Sequence, residues 1–169
     1  MRNLLKIAAV MLLVVASTAI NAQTLKFGHI DLEALIQVMP ESATAQVELE
    51  NFQKDLEDVL AELYDGYQQR ISEFEQLGTD ASEVRRNAKI TEIQELSTRI
   101  DNFRNNATQQ IEQKRAELIQ PILSKAEAAI EETAKAQGLI YVFDTNSLFY
   151  KSNSSIDVLP LVREKLGIN

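Results

Sequence analysis

The chain has 169 residues, 45% of them hydrophobic, and a formal net charge of −8 at pH 7. It contains no cysteine, which excludes disulfides, thiolate chemistry, cysteine metal sites and a lipid-modified N-terminal cysteine. The acidic balance argues against nucleic acid as a partner, because phosphate backbones are held by basic patches, and against strong binding to anionic membrane surfaces.

Residues 1–22 are predicted to be an export signal. Arg2 and Lys6 form its positive start, and Leu4 to Ile20 form an apolar run that ends in small residues. The uncharged stretch Ile7–Ile20 is shorter than the roughly 20 residues a membrane span needs, and no stop-transfer pattern follows. Cleavage near Ala22 removes Arg2 and Lys6 and takes the net charge from −8 to −10. An exported chain without disulfides must be held together by packing.

Lys26-Phe27-Gly28-His29-Ile30-Asp31 is predicted as a short strand ending in an acidic cap. Asp31 can accept hydrogen bonds from the free amides of a short helix, Leu32–Val38, that Met39-Pro40 closes. Two long charged segments follow, Glu41–Leu77 and Asp80–Gln137. The first carries ten Asp and Glu against Lys54 and Arg70, a local net of −8, and the second is nearly balanced, ten acids against nine bases.

Each long segment has one narrow apolar stripe. The outgoing one runs Phe52, Leu56, Val59, Leu63, Tyr67, Ile71, Phe74, Leu77, and the return one Ile93, Leu96, Ile100, Phe103, Ala107, Ile111, Leu118, Ile122, Ala126. Steps of three and four residues keep each stripe on one helix face, as in knobs-into-holes packing. Lys114 and Arg115 interrupt the return stripe. Leu49, Leu60, Tyr64 and Ile90 lie off the main line. The first three are candidate contacts for a partner chain, whose binding alanine at those positions would weaken. Gly78 is suited to end the first helix. Asp80 with Glu83 reads as a capping box for the second, with Thr79 as a competing cap. Gly66 is a flex point or a tolerated defect, and Pro121 is expected to kink or break the return helix.

After Gly138, the run Leu139–Phe143 is predicted as a buried strand. Asp144-Thr145-Asn146 is predicted to turn the chain, and Ser147–Tyr150 to pair back as a second strand. A final helix, Val158–Leu166, has Asp157 as cap, Pro160 in its first turn and Gly167 as its stop. The candidate core of this base, within and between copies, is Phe27, Ile30, Ile140, Val142, Phe143, Leu148 and Phe149. So small a base is marginal alone, and its open strand edges need covering, so an oligomer is expected.

The predicted fold class is therefore mainly α with a small β base. A long antiparallel, coiled-coil-like hairpin (residues 41–137) projects from a β-rich oligomerisation body built by both chain ends (23–40 and 138–169). Catalysis finds little support. His29 is the single histidine, no Gly-rich phosphate loop or serine elbow occurs, and the carboxylates fall at helix-surface spacing. No catalytic, cofactor or metal residue is assigned, and the chain reads as a non-enzyme.

These pieces together resemble the Skp (OmpH-type) family of periplasmic chaperones. The likeness rests on Lys26-Phe27-Gly28-His29-Ile30-Asp31 leading to Met39-Pro40-Glu41, the charged hairpin, and Leu118-Ile119-Gln120-Pro121-Ile122. It continues with Gly138 before Tyr141-Val142-Phe143-Asp144 and the closing Leu166-Gly167-Ile168. The resemblance implies a periplasmic homotrimer whose arms enclose a cavity and hold unfolded outer-membrane β-barrel proteins without ATP until insertion. The best-known members are basic, whereas this outgoing helix is acidic, so capture of acidic clients or lipopolysaccharide is not carried over. The competing reading is an exported coiled-coil spacer or envelope adaptor that meets one folded partner near Gly78.

Overall fold

The computed structural model describes residues 25–168, and the expected export signal lies outside the described residues. The chain forms β1 (Phe27–Ile30), α1 (Leu32–Val38), α2 (Pro40–Glu75), α3 (Glu83–Gln137), β2 (Tyr141–Asp144), β3 (Ile156–Asp157) and α4 (Leu159–Leu166). Asp31 caps α1, its Oδ1 accepting the Ala34 amide at 2.9 Å. Pro40 then forces Met39 into extended backbone, ψ 130°. The chain turns there and Pro40 opens α2 from a first-turn position that needs no amide hydrogen.

The two long helices run antiparallel, with Glu41 beside Lys125, Glu48 beside Lys114 and Glu73 beside Lys89. At 1.5 Å per residue, the 36 residues of α2 reach about 54 Å. The turn between them is longer than expected. α2 ends at Glu75, and α3 starts at Glu83 with Ser82 in the cap position and no side-chain cap bond. The predicted capping box at Asp80 does not form. Gly78 takes a positive φ of 27°, and the Arg86 guanidinium, donating to the Gly78 carbonyl at 3.2 Å, ties the turn to α3. α3 continues unbroken through Pro121. That residue is exposed, and water can replace the hydrogen bond its ring forbids. Gly138, at φ 65°, closes α3 in the left-handed conformation.

The sheet has the order β2-β1-β3, and both pairings are parallel. This corrects the expected β-hairpin. Thr145–Ser147 is one 3-10 turn, begun by the Asp144 carboxylate accepting the Asn146 amide, and Ser147–Tyr150 is not a strand. β1 has two edges to satisfy. β2 takes one, and the chain from Thr145 to Ser155 crosses over to lay Ile156-Asp157 on the other. Apolar residues signal an extended segment but not which edge it reaches.

Gly28, Ile30, Val142 and Ile156 share one face of this sheet by register. The core there joins Ile30, Leu35, Met39, Val158 and Val162 to Ile122, Ala126 and Ala129 of α3. The last turns of α3 are therefore built into the base. Fully burying one such aliphatic side chain contributes about 1.5–3 kcal/mol, and Leu35, Val158 and Val162 are completely inaccessible. Among the described residues no helix is long and apolar enough to cross a membrane.

Candidate functional surfaces

The arm is held by a thin seam. α2 has no fully buried residue, and in the arm portion of α3 Ile100 alone is buried. Structure shifts the outgoing stripe predicted from periodicity. Leu49 and Leu60, expected beside it, are half-buried and continue the inward line with Phe52, Leu56 and Leu63. Val59, expected within it, is 42% exposed, close to Tyr64 at 41%. A two-residue offset along a helix moves a side chain by about 200°, so small phase errors exchange inner and outer positions.

Lys114 does not interrupt the return seam. It sits on it with its stem half-buried, and its Nζ donates to Glu48 at 2.5 Å across the arm. Nearer the tip, Lys89 bridges Glu73 at 2.9 Å and Glu92 at 2.8 Å, while Arg70 reaches Glu73 at 2.6 Å. The hydrogen bond from Lys89, then that from Arg70, holds the Glu73 carboxyl at a pKa of about 2. The Glu92 and Glu73 carboxylates in turn raise the Lys89 ammonium above its ordinary value. This cluster joins the two helices by charge near the tip of the arm.

Among the described residues three apolar surfaces remain uncovered. Along the arm, Val47, Val59, Tyr64, Val84, Ile90 and Ile119 stand among charged neighbours. At the arm root, α1, α2 and α3 line an apolar groove of about 410 Å³ with Ile36, Ala45, Leu49, Leu118 and Ile119, and Arg115 stands beside it. Leu49 is thus the predicted contact residue in a groove, Tyr64 the one on an open face, and Leu60 the one inside the seam. The root groove was not legible in sequence, because it needs α3 to return against α1 and α2 from far along the chain.

The third surface is the sheet face turned away from the core. Phe27 stacks on Tyr141 with ring centroids 6.4 Å apart, and Tyr141 meets Phe143 at 5.9 Å. In the single chain these three, with Ile140, are 39–60% exposed, while Phe149 and Tyr150 project almost fully at 110% and 82%. Ile30 is buried, and Val142 and Leu148 are half-buried. Of the seven predicted base residues, Ile30 and Val142 pack on the chain's own core, and Phe27, Ile140, Phe143 and Phe149 face outward. Tyr141 and Tyr150 join that outer group and were not singled out. Strand alternation marked Tyr141 as opposite to Val142, but not which side the core would take.

The model of the family described as outer membrane protein (OmpH-like) matches residues 26–166. A crystal structure from Caulobacter crescentus CB15, of a protein described as an OmpH-like outer membrane chaperone, superposes with a TM-score of 0.73. The likeness covers 86% of each chain at 8% sequence identity, and so speaks for a shared fold. No curated protein gives a significant sequence match. Since the family model runs from the first strand through the arm and the turn between its helices to the last helix, this chain belongs to the OmpH-like family.

Proposed function

We propose that this chain is an ATP-independent periplasmic holdase chaperone that binds unfolded outer-membrane β-barrel proteins and keeps them from aggregating before insertion. The observation that carries the reading is the 36-residue α2, which buries no side chain completely and displays separate apolar residues on a charged surface. Such a surface suits many weak contacts with an unfolded chain, and multivalent engagement gives avidity without any strong single contact. Family membership supports a chaperone, and a binding role needs no catalytic residue or cofactor.

In this reading the hairpin of residues 41–137 is the client-holding arm up to where α3 enters the base, and residues 23–40 with 138–169 are the oligomerisation body. Residues 1–22 are removed on export. The outward aromatic face of the sheet meets two other copies, making a homotrimer whose arms surround the client. Leu49 in the root groove and Tyr64 on the open face are its first candidate client contacts, with Leu60 acting through the seam.

The test mixes the exported form with a urea-unfolded outer-membrane barrel, removes the urea by dilution, and measures complex mass by size-exclusion light scattering. A soluble complex of one barrel with three copies is the expected result. Aggregation equal to that of the barrel alone sinks the holdase reading, and selective binding of one folded partner would favour an envelope adaptor.

A further inference from the structure

The single histidine is enclosed. His29 lies in the central strand and is 6% exposed. Its Nε2 lies 3.1 Å from the Lys151 Nζ, and its Nδ1 lies 2.9 Å from the Ser155 Oγ. An ammonium group has hydrogens to donate and no lone pair to accept with. The Lys151 contact therefore requires a bare Nε2, and in the neutral ring the proton then sits on Nδ1. Nδ1 donates to Ser155 Oγ, whose own hydrogen points to the Phe27 carbonyl at 3.5 Å. Every group in this chain then has one consistent role, and both anchors belong to the crossover between β2 and β3.

We infer that His29 is a proton-sensitive latch for residues 148–155, holding that loop on the sheet when neutral and releasing it when protonated. Protonation places a hydrogen on Nε2, removes the acceptor that Lys151 uses, and sets two cations 3.1 Å apart. Of the two in-register neighbours one is neutral, and the other is a carboxylate that draws both cations without bonding the ring. In register on β2 stands Phe143, which carries no charge. In register on β3 stands Asp157, whose carboxylate accepts the Leu159 amide at 3.0 Å; among the described residues no hydrogen bond joins it to the imidazole. Imidazole is the one side chain whose ordinary titration falls between pH 5 and 8, which makes the single histidine the group to follow in acid. The cargo of the latch is the pair Phe149-Tyr150, which immediately precedes Lys151, is exposed in the single chain and belongs to the face that the proposed trimer covers. Acid thus frees an apolar loop tip without touching the arm.

Amide hydrogen exchange on the full exported protein at pH 7.5 and pH 5.0, corrected for the intrinsic pH dependence of exchange, tests this, while the ring resonances of the single histidine report its protonation. Amides of residues 148–155 should exchange roughly tenfold faster in acid, the equilibrium change that follows loss of one hydrogen bond of this type, while α2 and α3 stay unchanged. In Lys151→Gln the acceleration should largely vanish, because the side-chain amide can donate to neutral imidazole and accept from the protonated ring. Lys151 is on an exposed loop, so that variant keeps the fold. Equal exchange at both pH values, or the same acceleration in Lys151→Gln, overturns the latch.

Discussion

Two glycines carry opposite predictions. A Cβ on Gly28 would lie 2.7 Å from the Leu139 Cδ1, 3.2 Å from the Val158 Cγ1 and 3.3 Å from the Val142 Cγ2. The sheet can approach this core because residue 28 has no side chain, and Gly28→Ala should cost about 1–3 kcal/mol by overpacking. A Cβ on Gly66 would meet the Leu96 Cδ2 alone, at an ordinary 3.7 Å. The helix there accepts alanine, and Gly66→Ala should stabilise by up to about 1 kcal/mol. One urea-unfolding series on the two variants checks both signs. Gly66 was visible in the sequence as a weak point of a helix. The demand on Gly28 was not, since its three neighbours come from residues 139, 142 and 158.

The cluster around Glu73 sets the acid response of the distal arm. Glu73 has a folded pKa of about 2, below the ordinary 4.5, so its pairing contributes fully above about pH 4.5. That contribution is lost as pH falls from there through the folded value. Circular dichroism from pH 5 to pH 2.5 should therefore show the arm losing helicity, and Glu73→Gln should start lower at pH 5 and change less. Added salt should shrink the difference, because all four side chains of the cluster are at least a quarter exposed. The cross-arm pairs were hidden from the sequence. Residues 73 and 89 are close because the turn between the helices sets their register, and that turn is longer than its capping signals suggested.

Across the whole molecule, the outward face of the base and the acid of the arm lead to separate tests. If the aromatic face meets other copies, Phe149→Ser with Tyr150→Ser should lower the assembly mass in light scattering while the helical content is kept. Both side chains are solvent-exposed in the single chain, so their loss leaves its own core intact. If the arm holds unfolded barrels, the local net of −8 along residues 41–77 leaves two accounts, a different client range or capture by apolar and hydrogen-bonding contacts, and salt dependence tests the second. Barrel binding should then vary little as salt screens charge, and a steep loss with salt would contradict that account.

Periodicity, Gly, Pro and the Asp31 cap were enough to place the first strand, the short helix, the two long helices, the strand after Gly138 and the closing helix in order. They set the last strand at Ser147–Tyr150, whereas it forms at Ile156-Asp157. These signals act over a few residues, where backbone preference and side-chain spacing are written directly into neighbours. Tertiary structure decided what depends on distant partners. It made the sheet parallel instead of a hairpin, because β1 had two edges to satisfy. It turned Val59 outward and Leu60 inward, and it placed Lys114 in the seam. It also brought Lys151 and Ser155 onto His29 across more than 120 positions of sequence, where no local pattern could have announced them.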